Sequence, residues 1–278
     1  MRVPHLFAAA PLALVALVAL VACAATLAPS ASLTGPPATT ARASSTSPST
    51  SSPTPSPTPS PTVPSSLFGK VWVRLPVARP RIALTFDAGG NADGLPAIEQ
   101  ALDRGDVKRA TFFLTGAWTR AFAGQAASIA SSGWRLGNHT NTHPRLPDLT
   151  DAQVLRQVRR GRVAIEQATG VSPRPWFRFP YGAYDARTLA LVNDNQWVAI
   201  GWTIDTLGWE GTSGGQSVES VVARVLDNAV PGAIVLMHVG ANPDDHTTLD
   251  ADALPAVIAG LRSAGYRFCT PDVLLERG

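Results

Sequence analysis

His139-Thr140-Asn141-Thr142-His143 sets two imidazoles four residues apart. On a helix or in a tight loop both could face one ion, and neutral imidazole with oxygen ligands suits zinc and several other divalent metals. The same spacing also fits two loop histidines bonded to backbone groups. Leu84-Thr85-Phe86-Asp87 ends an apolar run in a carboxylate, which could be a metal ligand, a general base or a helix cap. Arg178-Phe179-Pro180-Tyr181 sets a guanidinium beside a proline-fixed turn. There it could hold a carboxylate through two parallel hydrogen bonds or serve as a structural salt bridge. Leu236-Met237-His238 ends the most apolar run in an imidazole, a group whose ordinary pKa suits proton transfer. A satisfied core histidine is the plainer alternative.

These side chains need a scaffold, and the sequence has an alternating one. Strands are predicted at 81–86, 110–115, 135–138, 177–179, 197–202, 233–237 and 266–269, from short runs of β-forming residues. Helical patterns lie between them. Thr150-Asp151-Ala152-Gln153 reads as a capping box, with Val154, Leu155, Val158 and Ile165 on one face and Gly170 as the stop. A second helix begins near Ser217 and turns Val218, Val221, Val222 and Val225 inward. A third carries Leu254, Val257, Ile258 and Leu261 and ends at Gly265. Such β-α repetition implies parallel strands under helices, as an open doubly wound sheet or a barrel. No glycine-rich fingerprint follows the first strand, which argues against a dinucleotide site.

Beyond the leader there are four histidines, His139, His143, His238 and His246. Three of them fall at the C-terminal end of a predicted strand, as do Asp87, Arg178 and Asp205. In a parallel α/β barrel that edge carries the active site. Asn91 and Asp93 sit where they could cap the helix after the first strand.

Taken in order, these motifs resemble the polysaccharide deacetylase family, the NodB-homology domain or carbohydrate esterase family 4, from about residue 81 to the C-terminus. The resemblance implies a distorted (β/α) barrel of seven or eight repeats. It also implies hydrolysis of N-acetyl or O-acetyl groups on chitin oligomers, peptidoglycan or xylan. It makes Asp87 the general base, His139 and His143 metal ligands, and Arg178 the group that orients the base. The Tyr181 backbone N–H becomes part of the oxyanion hole, and His238 the general acid. Asp205 and Trp209 match the fourth motif, with Trp209 as an apolar wall for sugar or acetyl methyl. The cofactor implied is a divalent metal, zinc first, with cobalt, nickel or manganese as alternatives.

Two positions depart from the family pattern. Ala88 stands where a second aspartate normally binds the metal, and Gly208 where an aspartate normally tunes the catalytic histidine. The Gly89-Gly90-Asn91-Ala92-Asp93 loop offers Asp93 as a replacement ligand if the glycines let it fold back; capping the next helix is the competing role. The departures also leave open a weakly active or inactive carbohydrate-binding domain. An O-acetyl esterase on a xylan-like glycan is the competing enzyme.

The first 22 residues read as a secretory signal, and Leu20-Val21-Ala22-Cys23 resembles a lipoprotein box with Cys23 as the lipidated residue. Residues 23–66 are rich in Ser, Thr, Pro and Ala and predict a disordered tether; the catalytic domain is expected at 67–278. Only Arg2 and Arg42 among the 23 Lys and Arg, and none of the 20 Asp and Glu, fall in residues 1–66. The remainder thus carries 21 cations against 20 anions, a balance that gives no reason to expect nucleic acid. Cys269 is expected in a buried strand, without a disulfide partner once Cys23 is lipidated or removed. The expected protein is an exported monomer, lipid-anchored to the membrane or secreted. It would face the cell wall and act on an acetylated polysaccharide, peptidoglycan foremost.

Overall fold

The computed structural model describes residues 63–277. The signal, Cys23 and the tether up to residue 62 lie outside the described residues. Val63 packs against the core cluster around Leu67 and Leu75, so the folded chain includes residues upstream of the expected boundary at 67.

The central strand is β2 (Arg81–Ala88). Its side chains alternate between two packed layers, as a strand buried on both faces requires. Ile82, Leu84, Phe86 and Ala88 join the cluster formed with α1 (Leu95–Arg104) and α7 (Leu249–Ser263), while Ala83 joins the opposite one. Around β2 run β1 (Val71–Trp72), β3 (Thr111–Leu114), β4 (Arg135–Asn138), β5 (Trp176–Phe177), β6 (Val198–Ile200), β7 (Ile204–Asp205) and β8 (Ile234–His238), in the order β1-β6-β5-β4-β3-β2-β8-β7. β9 (Arg267–Phe268) also pairs with β2. Each ladder between these strands is parallel. The sheet curls into a partial barrel, and among the described residues no ladder joins β1 to β7.

Helices α2 (Gly116–Ala121), α3 (Ala123–Ser131), α4 (Asp151–Thr169), α5 (Ala186–Asp194) and α6 (Val218–Asp227) complete the covering layer with α1 and α7. The expected capping box at Thr150 forms, α6 starts after Ser217 with a capping box of its own, and Gly170 ends α4 in the left-handed conformation. α1 differs from expectation. Its N-cap is Gly94, with no side-chain capping bond, so neither Asn91 nor Asp93 caps it. Asn91 is drawn elsewhere, as the site shows.

One packing relationship passes directly into the site. Phe113 of β3 lies over Gly137 of β4, where a β-carbon would come within 3.2 Å of the ring Cγ. Only hydrogen at that position lets the ring seat. The other face of the sheet stacks Phe86 on Phe112, with ring centroids 4.9 Å apart. Burying one such ring contributes roughly 1.5–3 kcal/mol.

Candidate active site

Asp87 ends the site-facing side of β2 and is only 7% exposed. Its Oδ1 accepts from Arg178 Nη1 at 2.7 Å, and its Oδ2 lies 3.3 Å from His139 Nε2. Arg178 follows β5 and is wholly buried. Nη2 donates to Thr85 Oγ1 at 2.9 Å and to the Gly201 carbonyl at 3.0 Å, and Nε donates to the Ile200 carbonyl at 3.3 Å. The guanidinium carbon also stands 4.1 Å from the Phe113 ring centroid. The packing of Phe113 on Gly137 therefore supports Arg178, and Arg178 fixes the carboxylate. Burial alone would raise the Asp87 pKa; the Arg178 charge, foremost, outweighs it and holds it below the usual carboxylate value.

The imidazole pair sits on a loop, not on a helix. Thr140 and His143 both adopt left-handed backbone conformations, at φ 70° and 59°, which end any regular continuation of β4. The loop is held by side chains. Thr140 Oγ1 accepts from the His143 N–H at 3.1 Å. Gln157 Oε1, on α4, accepts from the N–H groups of Asn141 and Thr142 at 3.0 Å each. His139 Nδ1 lies 2.9 Å from the Arg178 carbonyl oxygen. That oxygen can only accept, so Nδ1 carries the proton and Nε2 presents its lone pair. The His143 Nε2 stands 3.0 Å from it.

A carbonyl holding Nδ1–H is how metal-binding histidines are oriented, and the two facing Nε2 atoms suit a divalent ion. Burial keeps both rings neutral. It lowers the His139 pKa, and with the neighbouring His139 it pushes His143 down to about 4. Among the described residues no three His, Cys, Asp or Glu side chains form a closed ligand cluster. The donors are the imidazole pair, with Asp87 beside it.

Asp93 does not join them. It is exposed on the turn before α1, and that turn is tied to the segment after β8. Asn91 Oδ1 accepts from the Ala241 N–H at 2.7 Å and from the Asp93 N–H at 3.1 Å, and Asn91 Nδ2 donates to the Ala241 carbonyl at 3.0 Å. The Gly94 N–H donates to the Val239 carbonyl at 3.0 Å. These bonds prevent the fold-back that a ligand role required. The Ala88 methyl is itself buried in the core beneath α1 and α7.

His238 ends β8. Its side chain is 27% exposed, yet Nδ1 is buried and makes no hydrogen bond. Asp250, in the first turn of α7 and 3% exposed, accepts the His238 backbone N–H at 2.7 Å through Oδ2. The same oxygen lies 3.4 Å from Nδ1. Burial disfavours the imidazolium, but Asp250, then Asp87 and Asp205, outweigh it and raise the His238 pKa. Asp205 ends β7 half-buried, where Oδ1 accepts from the Leu207 N–H at 3.1 Å. It acts on His238 through its charge and is not among the residues lining the cleft. Trp209 does, half-exposed, with its ring 6.4 Å from that of His238. Tyr181 is exposed, has φ 58°, and sets its ring edge-on to His143 at 4.5 Å.

Asp87, His139, His143, His238 and Trp209 thus line one open cleft of about 370 Å³, floored by Gly89 and Gly90. It contains a carboxylate whose pKa is lowered, an imidazole whose pKa is raised, and two imidazoles whose burial favours the neutral form. That combination suits general acid–base hydrolysis at a metal. Sequence reading missed Asp250, in the first turn of the helix that follows β8, and the tie made by Asn91.

Residues 74–200 match the polysaccharide deacetylase family. The chain is 31% identical over 195 residues to a peptidoglycan-N-acetylglucosamine deacetylase of Bacillus cereus, a match covering 70% of this chain and 68% of that protein. It is 30% identical over 201 residues to a chitooligosaccharide deacetylase of Azorhizobium caulinodans, covering 69% of this chain and 93% of that one. Among solved structures, it matches a mutant of a carbohydrate esterase family 4 pseudoenzyme of Bacillus anthracis, described as having restored enzymatic activity. There the TM-score is 0.65 at 32% identity, over 73% of this chain and 70% of that one.

Proposed function

Because this chain belongs to the polysaccharide deacetylase family, we propose that it hydrolyses N-acetyl groups of a cell-envelope polysaccharide, with peptidoglycan as the substrate. The observation that carries this reading is the single cleft shared by Asp87, the imidazole pair, His238 and Trp209. The relatives named for peptidoglycan and chitooligosaccharide both act on N-acetylated sugars, which favours the amide over an ester.

A divalent ion held by His139 and His143, zinc foremost, would supply Lewis-acid polarisation of the acetyl carbonyl and acidify water. The chain's own groups do the rest. Asp87, fixed by Arg178, takes a proton from the attacking water as its oxygen bonds to the acetyl carbon. The Tyr181 backbone N–H is assigned to the developing oxyanion. His238 donates its proton to the amide nitrogen as the C–N bond breaks, releasing acetate and a free sugar amine. Trp209 offers a flat apolar face to the sugar. Asp205 adds negative charge that favours the His238 imidazolium.

Ala88 and Gly208 favour a second reading, a weakly active or inactive carbohydrate-binding domain, and one structural relative is described as a pseudoenzyme. The base, both imidazoles and the acid all remain here, which supports catalysis. Acetate release from intact peptidoglycan, chitooligosaccharide and acetylxylan, each with added zinc, cobalt, nickel or manganese, tests the assignment. Release from N-acetylated substrates is expected. Binding without release supports the second reading, and release from acetylxylan alone supports an esterase.

The N-terminal sequence extends the proposal to location: export, lipidation at Cys23, and a tether that holds the monomeric domain near the wall. Mass analysis of the membrane fraction beside Cys23→Ala tests this. A mature chain starting elsewhere and free of lipid would exclude the anchor.

A further inference from the structure

We infer that Asp250 is the positioning residue for His238, supplied from the first turn of α7 in place of a carboxylate at position 208, and that Gly208 is glycine because Asp250 occupies the space its side chain would need. A β-carbon built on Gly208 would stand 2.6 Å from Asp250 Cγ and 3.1 Å from the Asp250 backbone nitrogen. Gly208 does not have a positive φ, so its backbone does not require glycine. The requirement is steric, and the obstructing group is a carboxylate.

That carboxylate is built in. Asp250 is 3% exposed, Thr206 Oγ1 donates to its Oδ1 at 2.6 Å, and the His238 backbone N–H donates to its Oδ2 at 2.7 Å. Oδ2 then lies 3.4 Å from the buried Nδ1 of His238, which has no other partner. A small rotation of the imidazole completes an Nδ1–H···Oδ2 bond. It would leave Nε2 as the atom that carries the transferable proton. A polar nitrogen sealed from water without a partner is costly, so Asp250 is its natural acceptor. The remaining ionisable groups facing His238 are Asp87 on β2, Asp205 on β7, and His139 and His143 on the loop after β4.

This inference rests on His238 acting as the acid, and the experiment separates the two. Wild type, Asp250→Asn, Asp250→Ala, Gly208→Asp and Gly208→Asp with Asp250→Ala are compared as metal-loaded full-length protein. The isosteric Asp250→Asn should lower kcat about 10–100-fold with little change in KM, the range typical when a histidine loses its orienting partner. The alkaline limb of its kcat profile should move to lower pH, because losing the carboxylate lowers the His238 pKa. Gly208→Asp alone should be crippled by the clash, and the double variant should recover most of the kcat lost in Asp250→Ala. The His238 Nδ1 proton should give a downfield NMR signal in wild type and the double variant, and none in Asp250→Ala. An unshifted limb with wild-type kcat in Asp250→Asn would overturn the inference, as would a double variant no better than Asp250→Ala. If the wild type releases no acetate, the catalytic reading fails, and the NMR signal alone decides the pairing: its presence sustains it and its absence overturns it.

Discussion

Asp87 and His238 are direct register partners across the parallel β2–β8 ladder. Partners in a parallel ladder project to the same face of the sheet. The proposed base and acid are therefore set side by side by two central strands, with no flexible loop involved. The groups meant to hold and shape substrate lie around them, the imidazole pair at the end of β4 and in the loop after it, and Tyr181 and Trp209 in short 3-10 turns.

His238→Ala should reduce kcat about 10²–10⁴-fold, the usual contribution of a positioned acid or base, while bound metal stays at the wild-type level. His238 stands apart from the imidazole pair, so metal analysis and kinetics should separate. Loss of metal in this variant would make His238 a ligand instead.

The pH profile should be displaced at both ends. Asp87 is held below the ordinary carboxylate value and His238 above 6.5. These opposite shifts widen the pH range over which the required forms, carboxylate and imidazolium, coexist. Activity should fall as pH rises past the His238 pKa, where the acid loses its proton. On the acid side the imidazole pair stays neutral well below its usual range, with His143 at about 4. An acid limb centred at 6.5, the ordinary histidine value, would contradict the burial argument.

Arg178→Ala should destabilise the protein by about 3–5 kcal/mol, the cost of breaking a buried charge pair, measured by urea unfolding. The substitution strands Asp87 and removes bonds to Thr85 and the carbonyls of Ile200 and Gly201. Arg178→Lys keeps the charge without the planar fork and should recover stability only in part. A loss under about 1 kcal/mol in Arg178→Ala would show that the pair does not hold Asp87.

Ala88→Asp should lower the melting temperature of metal-free protein, because the methyl it replaces is fully buried among apolar side chains and an unpaired buried carboxylate is costly. A divalent ion beside the imidazole pair is the partner it could reach. Added zinc should therefore raise the melting temperature of the variant more than that of wild type. An equal shift in both would mean that position 88 has no access to the ion.

The site was legible where chemistry is local in sequence. His139 and His143 lie within five residues, and Asp87, Arg178 and His238 each close an apolar run, so strand ends brought them together. The capping box at Thr150 and the helix start near Ser217 were equally readable, since a cap is a contact within one turn. β1 and β7, two residues each, have no periodicity to read; β6 and β8 create them by pairing. Asp93 misled because proximity in sequence says nothing about the Asn91 bonds that hold its loop away. Asp250 was invisible for the opposite reason: nothing in the first turn of α7 signals that it lies against Gly208 and His238.

The most direct measurement is paired quantification of acetate and free amine from peptidoglycan treated with metal-loaded wild type and with Asp87→Asn. Asp87→Asn keeps the shape of the site but cannot accept the water's proton. Wild type should release acetate and expose amine in equal amounts, and Asp87→Asn, with the same metal content, should do so at least about 10²-fold more slowly. Equal rates in the two proteins, or acetate without new amine, would contradict an N-deacetylase that uses Asp87 as its base.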